Sequence, residues 1–161
     1  MTAMAFHAHD PSALVEDVFA RIHRERMVGV DLVNPALAVA AVGFKRLGDD
    51  WRGVLVTPWG IHLLLLPAVA DWPVPASHER VFRRYPAGDF AFLANREEGL
   101  GDYLVCALVH DMSPYADQET AEFTALACLI ALDMPPPKSQ PKGDAQAPDS
   151  VKRRKFLGLG R

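Results

Sequence analysis

Histidines are the residues of this sequence best suited to hold a metal ion or to move a proton near neutral pH. None of the six histidines is paired at i, i+4 with a second ligand on a predicted helix. The densest grouping is His7-Ala8-His9-Asp10, which lies close to the start of the chain, in a segment that we expect to be a disordered leader. We therefore predict that the protein has no metal site.

Carboxylates and nucleophiles give no stronger indication of catalysis. Glu97 and Glu98 are adjacent, so in an extended segment their side chains point to opposite sides. They therefore cannot act together as general acid and general base on the same substrate bond. A solvated charged turn explains them better. Cys106 lies in an alternating apolar segment with no basic neighbour, so we expect a protonated, inert thiol.

Known catalytic and nucleotide-binding motifs do not occur in this sequence. It contains no GxSxG nucleophile elbow, no GxxxxGK(S/T) phosphate loop and no GxGxxG turn. If the protein were an enzyme, the least unsuited group would be Tyr103, His110 and Asp111. We predict instead that it is not an enzyme and that it uses no cofactor.

Length and composition are those of one globular domain with its own core. The chain has 161 residues, half of them hydrophobic, and a formal net charge of -3. Its two cysteines, Cys106 and Cys128, form no CxxC pair, which favours a reducing cytoplasm. No apolar run approaches the roughly 20 residues that span a bilayer, and no secretory signal is recognised at the start. We therefore predict no membrane span.

Charge and proline content divide the chain into three parts. Residues 1–133, the predicted domain, hold ten Lys and Arg against eighteen Asp and Glu. Residues 134–150 contain five prolines and almost no large apolar side chain, a composition typical of a disordered linker. Residues 151–161 form a strongly basic tail. A linker of this length spans on the order of 20 to 25 Å, so the tail can return to its own domain.

Two helices are predicted at the ends of the domain. The first begins at Asp10-Pro11, which fits an N-cap followed by the first helical position, and runs to about Met27. The second begins at Ser113-Pro114 and stops before Pro135. Its apolar stripe consists of Phe123, Leu126, Ala127 and Ile130, but the helix is apolar nearly all round. We expect it to be buried, against the sheet or against a partner.

Six short apolar runs separated by turn residues predict strands between these helices. They are Leu37–Lys45, Trp51–Thr57, Ile61–Leu66, His78–Tyr85, Phe90–Ala94 and Tyr103–Val109. Most connections are too short for crossover helices, so neighbouring strands should be antiparallel. The predicted fold class is α+β, with a meander-like antiparallel sheet, a helix at each end and a disordered C-terminal tail.

Three apolar features indicate either packing or a partner surface. Trp59 and Trp72 lie in predicted loops, where a large aromatic is placed to pack or to bind, and packing is the commoner reason. Leu63–Leu66 is an unbroken run that should be buried on both faces of a sheet. Two helices do not easily cover both faces, so a second copy of the chain or a client would cover the rest.

Several segments together resemble one protein family. They are NPALAVAAVGF, WRGVLVTPW, LLLLP, RYPAGDFAFLANREEGLGDYLVCALV and ADQETAEFTALACLIAL, within residues 34–132. The sequence is thereby similar to the HybE/HupJ family of nickel-iron hydrogenase assembly chaperones. Some relatives carry a rubredoxin with paired CxxC motifs, whose cysteines this chain lacks.

The resemblance implies a cytoplasmic, non-enzymatic protein. Such a chaperone binds the precursor of the hydrogenase small subunit and holds it back from twin-arginine export until its iron-sulfur clusters are in place and the large subunit is mature. The large subunit and other accessory proteins are further implied partners, and a scaffold that links accessory proteins is the alternative function. The candidate partner surface comprises Trp59, Trp72, Glu97, Glu98 and Asp102.

The basic tail resembles the client's own signal. Arg153-Arg154-Lys155-Phe156-Leu157 is similar to the core of a twin-arginine signal, S/T-R-R-x-F-L-K, although no apolar h-region follows it. We hypothesise that the tail is a pseudo-ligand for the surface that binds the client.

Under this hypothesis the tail binds the candidate partner surface through both charge and apolar contacts. Arg153 and Arg154 would pair with Glu97, Glu98 and Asp102, while Phe156 and Leu157 would enter an apolar groove near Trp59. The alternative is a solvated basic tail, or one that touches nucleic acid or an anionic surface.

Overall fold

The computed structural model describes residues 6–137, which form two helices and six strands. The elements are α1 (Ser12–Arg26), β1 (Ala40–Leu47), β2 (Asp50–Thr57), β3 (Gly60–Pro67), β4 (Arg80–Tyr85), β5 (Gly88–Glu97), β6 (Gly101–Val109) and α2 (Gln118–Leu132). The predicted fold class is confirmed: the described residues form a six-stranded antiparallel sheet with a helix before and after it. The predicted linker from Lys138 onwards, and the basic tail, lie outside the described residues.

The sheet consists of two three-stranded meanders placed side by side. The strand order is β1-β2-β3-β6-β5-β4, and every neighbouring pair is antiparallel. Pairing of β3 with β6 joins the two meanders, with Leu64 opposite Val105. The chain therefore crosses from β3 to the far edge at β4 and returns to the centre, which a single meander would not do.

The two helices pack on opposite faces of the sheet. On the α1 face, Val15 and Phe19 of the helix share a core cluster with Leu64 and Leu66 of β3. On the other face, Ala125 and Leu129 of α2 share a cluster with residues that include Leu63 and Leu65.

The leucine run of β3 is consequently buried without a second chain. Leu63–Leu66 all have 0% exposed surface because β3 is central and alternate leucines face different helices. The expectation that a partner must cover this run is wrong, since it assumed that the two helices would not cover both faces.

The first helix matches its sequence pattern closely. Its N-cap is Pro11, one residue later than predicted, and Asp10 accepts a hydrogen bond from the Ser12 amide at 2.9 Å. Buried side chains at Val15, Val18, Phe19 and Ile22 recur at helical spacing and face the sheet.

The second helix begins later than its sequence pattern predicts. It starts at Gln118, whereas Ser113-Pro114 was the predicted start. Ser113 instead lies in a turn, where its amide and hydroxyl both donate to the Asp111 carboxylate. Asp117 is the N-cap, because its carboxylate accepts a hydrogen bond from the Thr120 amide at 2.8 Å.

A glycine on the edge strand lets α2 approach the sheet. Gly43 lies in a bulge of β1, between Val42 and Lys45, with a φ of 68° that favours glycine. A Cβ at this position would overlap the Leu129 side chain of α2. The missing side chain at Gly43 therefore leaves the space beside β1 that Leu129 occupies.

An ion pair fastens the end of α2 to the sheet. The Arg52 guanidinium is buried and donates to both Asp133 carboxylate oxygens, at 2.9 and 2.7 Å. It also lies 5.2 Å from the centre of the Tyr85 ring. The Arg52 hydrogen bond holds the pKa of the Asp133 carboxyl below its ordinary value.

Candidate functional site

The outer face of α2 carries large apolar side chains that nothing in the described chain covers. Phe123 is 73% exposed, Leu126 43% and Ile130 57%. These residues are spaced i, i+3 and i+7, so they form one stripe along the helix. The buried residues of α2 are Ala121, Ala125, Leu129 and Leu132. The predicted stripe exists, but it faces outward, and the expected burial of the whole helix is not observed within residues 6–137.

A groove runs between this stripe and the edge strand β1. Its cavity has a volume of about 250 Å³ and is lined by Val42, Glu119, Glu122, Phe123 and Leu126, which we call the α2 groove. A second cavity of about 210 Å³ lies towards the end of the helix, where Leu126 and Ile130 lie beside the Arg52 and Asp133 pair. An extended peptide or a second helix would bury apolar surface along this path.

The α2 groove is acidic at the start of the helix. Glu119 and Glu122 lie one turn apart, and neither forms a salt bridge with a Lys, Arg or His among residues 6–137. Glu122 accepts a hydrogen bond from the Gln118 amide group at 2.9 Å. The groove thus combines apolar walls with two carboxylates that can still accept a cation.

Trp59 lies on the other side of the sheet, in the turn between β2 and β3. It is partly buried, packs against the α1 core and has its ring centre 5.8 Å from that of His23. Its backbone amide donates to the Thr57 hydroxyl at 3.2 Å. Packing against the α1 core therefore buries part of the Trp59 side chain, and the rest of it is exposed to solvent.

The carboxylate of Glu97 is already occupied by arginines of α1. Arg21 donates to it at 3.2 Å, and Arg26 also contacts it. Glu98 is exposed, and its carbonyl oxygen accepts from Arg21 at 3.0 Å. Trp59 and Glu97 thus both contact the second half of α1, but a foreign arginine would have to displace Arg21 and Arg26 from Glu97.

Asp102 and Trp72 do not join this surface. Asp102 pairs with Arg96, which lies opposite it on β5, with both carboxylate oxygens 3.1 Å from the guanidinium. Trp72 is only 4% exposed and belongs to the α2-side core, where its indole N–H donates to Asp50 at 2.7 Å. The structure gives Trp72 a packing role, so it presents no anchor to a partner.

The fold does not bring together Tyr103, His110 and Asp111, the residues that the sequence offered as candidates for catalysis. Tyr103 is buried in the α1 core with its ring edge on Phe19, and burial raises its pKa to about 12. His110 and Asp111 instead line an open cavity of about 500 Å³ between two loops. In this cavity the Ser113 hydroxyl and amide both donate to the Asp111 carboxylate, and these hydrogen bonds hold the pKa of Asp111 below its ordinary value, which makes it a weak base for activating a nucleophile.

Of the two histidines near the start of the chain, His7 is packed against the domain and His9 is exposed. His7 is buried, its amide donates to the Pro67 carbonyl at 2.9 Å, and its own carbonyl accepts the Trp51 indole N–H at 2.8 Å. The expectation of a disordered leader is therefore wrong from His7 onwards. Residues 6–137 contain no group of three or more His, Cys, Asp or Glu side chains placed to hold a metal ion.

Both cysteines are half-buried, and they lie on different elements of the fold. Cys106 is on β6 and Cys128 on α2, and both are free thiols. Burial raises the pKa of each thiol above its ordinary value, which keeps it protonated near neutral pH.

The tail residues proposed as a pseudo-ligand, Arg153, Arg154, Phe156 and Leu157, lie outside the described residues.

Comparison with known proteins agrees with this fold and assigns the family. The family model described as "[NiFe]-hydrogenase assembly, chaperone, HybE" matches residues 10–159. The chain belongs to the HybE family of hydrogenase assembly chaperones. This HybE-family match extends past α2 through the proline-rich segment and most of the basic tail.

Individual relatives of this HybE-family chain carry hydrogenase-related names. It is 40% identical over 124 residues to the "Probable rubredoxin HupJ" of Rhodobacter capsulatus, covering 75% of this chain but 44% of that protein. It is 33% identical over 128 residues to the hydrogenase expression/formation protein HupT of Azotobacter chroococcum, covering 77% of this chain and 85% of the relative. The chain thus spans less than half of the first of these proteins.

A solved structure shares the fold of this HybE-family chain. The solution structure of HybE from Escherichia coli superposes with a TM-score of 0.68 at 24% identity, covering 95% of this chain and 97% of that one. Within residues 6–137, neither helix is long and apolar enough to cross a bilayer.

Sequence reasoning missed Glu119 and Glu122 as candidate site residues. The sequence does contain a pattern that could have identified them, because both acids alternate with Phe123 and Leu126 at helical spacing. The sequence pattern is apolar nearly all round the helix, so it did not show that these two carboxylates lie beside an exposed apolar stripe.

Proposed function

We propose that this protein is a non-enzymatic, cytoplasmic chaperone that binds the precursor of a hydrogenase small subunit, including its twin-arginine signal. Binding would delay export until the subunit is mature. Membership of the HybE family supports the general role. The large subunit and other accessory proteins are further proposed partners.

The observation that carries this proposal is the uncovered apolar stripe of α2 beside two carboxylates. A twin-arginine signal offers two cations followed by apolar side chains. Glu119 and Glu122 match the cations, and Phe123 and Leu126 match the apolar part. Burying this stripe removes apolar surface from water, which supplies the affinity.

The surface beside α1 is the second candidate for the client. Trp59 is partly open, and Glu98 is exposed near Glu97. Its weakness is that Glu97 and Asp102 are already paired with arginines of the same chain. A scaffold that links accessory proteins is the alternative function, and it does not require the client's signal.

Binding of full-length and signal-deleted small-subunit precursor to the full chain tests this function. We expect the full-length precursor to bind and the signal-deleted form to bind at least tenfold more weakly. Equal binding of both forms supports the scaffold and contradicts signal recognition. Absence of binding to either form contradicts the proposed function itself.

Double substitutions on different faces of the protein identify the surface that binds the precursor. Phe123→Ser with Ile130→Ser should weaken precursor binding about tenfold, because large apolar side chains leave the interface. Val28→Ser with Leu32→Ser is the matched control, since these residues are 76% and 59% exposed but do not line the α2 groove. Loss of binding in Trp59→Ala, with the α2 variant unaffected, would assign the client to the α1 side.

A further inference from the structure

We infer that residues 152–157 of this chain, KRRKFL, dock in the α2 groove when no client is bound. The groove would then be covered by the chain's own basic segment. Competition between this segment and a client rests on the proposed function, but the docking itself does not.

Apolar complementarity supports this occupant. Phe156 and Leu157 are the large apolar side chains that directly follow the basic residues of the segment. The groove has Phe123 and Leu126 in its wall, both exposed in the described chain. Docking would cover apolar surface on both sides, which water otherwise contacts.

Charge complementarity favours the α2 groove over the surface beside α1 that contains Trp59 and Glu97. Glu119 and Glu122 form no salt bridge within residues 6–137, so they can accept Arg153 and Arg154 without displacing an arginine or lysine. Glu97, by contrast, already binds two arginines of α1. We therefore place the binding site of the basic segment at α2, whereas the hypothesis from sequence placed it near Trp59.

The length of the connecting chain permits the contact. Fourteen residues, 138–151, separate the described chain from the basic segment. The helix rises about 20 Å between Glu119 and Leu132, and fourteen residues can span on the order of 45 Å when extended, so the segment can reach the start of α2. Such a linker gives an effective concentration on the order of 1 mM, so even a weak contact would be populated.

A peptide of residues 151–161, VKRRKFLGLGR, tests the inference when added to the full chain. The recipient chains are the wild type and the tail variant Phe156→Ser with Leu157→Ser, whose own segment can no longer fill the groove. We expect the peptide to bind the tail variant about tenfold more tightly than the wild type. Methyl NMR signals of Val42 and Leu126, which line the groove, should shift on binding.

Charge-matched substitutions added to the tail variant complete the test. Glu119→Gln with Glu122→Gln should weaken peptide binding about tenfold, whereas Asp31→Asn with Asp71→Asn changes the net charge equally and should not. Equal binding to wild type and tail variant, or no binding to either, overturns the inference. Shifts beside Trp59 instead of α2 also overturn it. Peptide docking without precursor binding leaves this inference standing and removes the proposed function.

Discussion

At the residue scale, burial controls the chemistry of His62. This side chain lies on β3 with its Nε2 atom 3.3 Å from the Thr57 hydroxyl. Burial lowers the pKa of His62 from 6.5 to about 4, because the charged ring loses its water. The folded protein therefore keeps this histidine neutral at pH values where the unfolded chain protonates it.

The free energy of unfolding should consequently fall as the pH falls from about 6.5 towards 4. Over this window the unfolded state binds a proton that the folded state does not bind, which favours unfolding. Between pH 7 and pH 5 we expect His62 to account for a loss of about 2 kcal/mol. Urea unfolding at both pH values measures it, with His62→Gln as the control. An equal pH-dependent loss in both proteins would show that His62 is not responsible.

At the element scale, sequence patterns predicted α1 and the six strands well. Apolar residues of α1 face one core, and turn residues end each strand, so local rules and packing agree. They did not predict which face of α2 is buried. That helix is apolar nearly all round, so periodicity does not distinguish its faces, and the buried face is set by tertiary contacts with the sheet, such as the fit of Leu129 beside Gly43. The α2 groove could not be predicted for the same reason.

Gly43→Ala tests the role of this contact. The substitution places a Cβ against Leu129 and strains a backbone with a φ of 68°. Gly48→Ala is the control, because Gly48 has a φ of 62° but no atom within 4 Å of the added Cβ. We expect the free energy of unfolding to fall by about 1 kcal/mol for the control and by about 1 to 2 kcal/mol more for Gly43→Ala. Equal losses in urea unfolding would show that α2 does not depend on this contact.

At the scale of the whole molecule, charge is distributed unevenly. Residues 1–133 hold ten Lys and Arg against eighteen Asp and Glu, and residues 134–161 hold seven against two. The folded part thus offers an acidic surface to a cationic ligand, whether that ligand is a client's signal or the chain's own basic segment. Long-range attraction of this kind raises association rates more than it lowers dissociation rates.

Precursor binding should therefore slow as salt rises. From 50 to 300 mM salt we expect the association rate constant to fall roughly tenfold, because screening shortens the reach of the acidic surface, while the dissociation rate constant changes less. Surface plasmon resonance with immobilised full-length precursor measures both constants. Glu119→Gln with Glu122→Gln should flatten the salt dependence, and Asp31→Asn with Asp71→Asn should flatten it less, since those acids do not line the α2 groove. The same salt dependence in both variants would mean that overall charge, and not the α2 groove, steers the client.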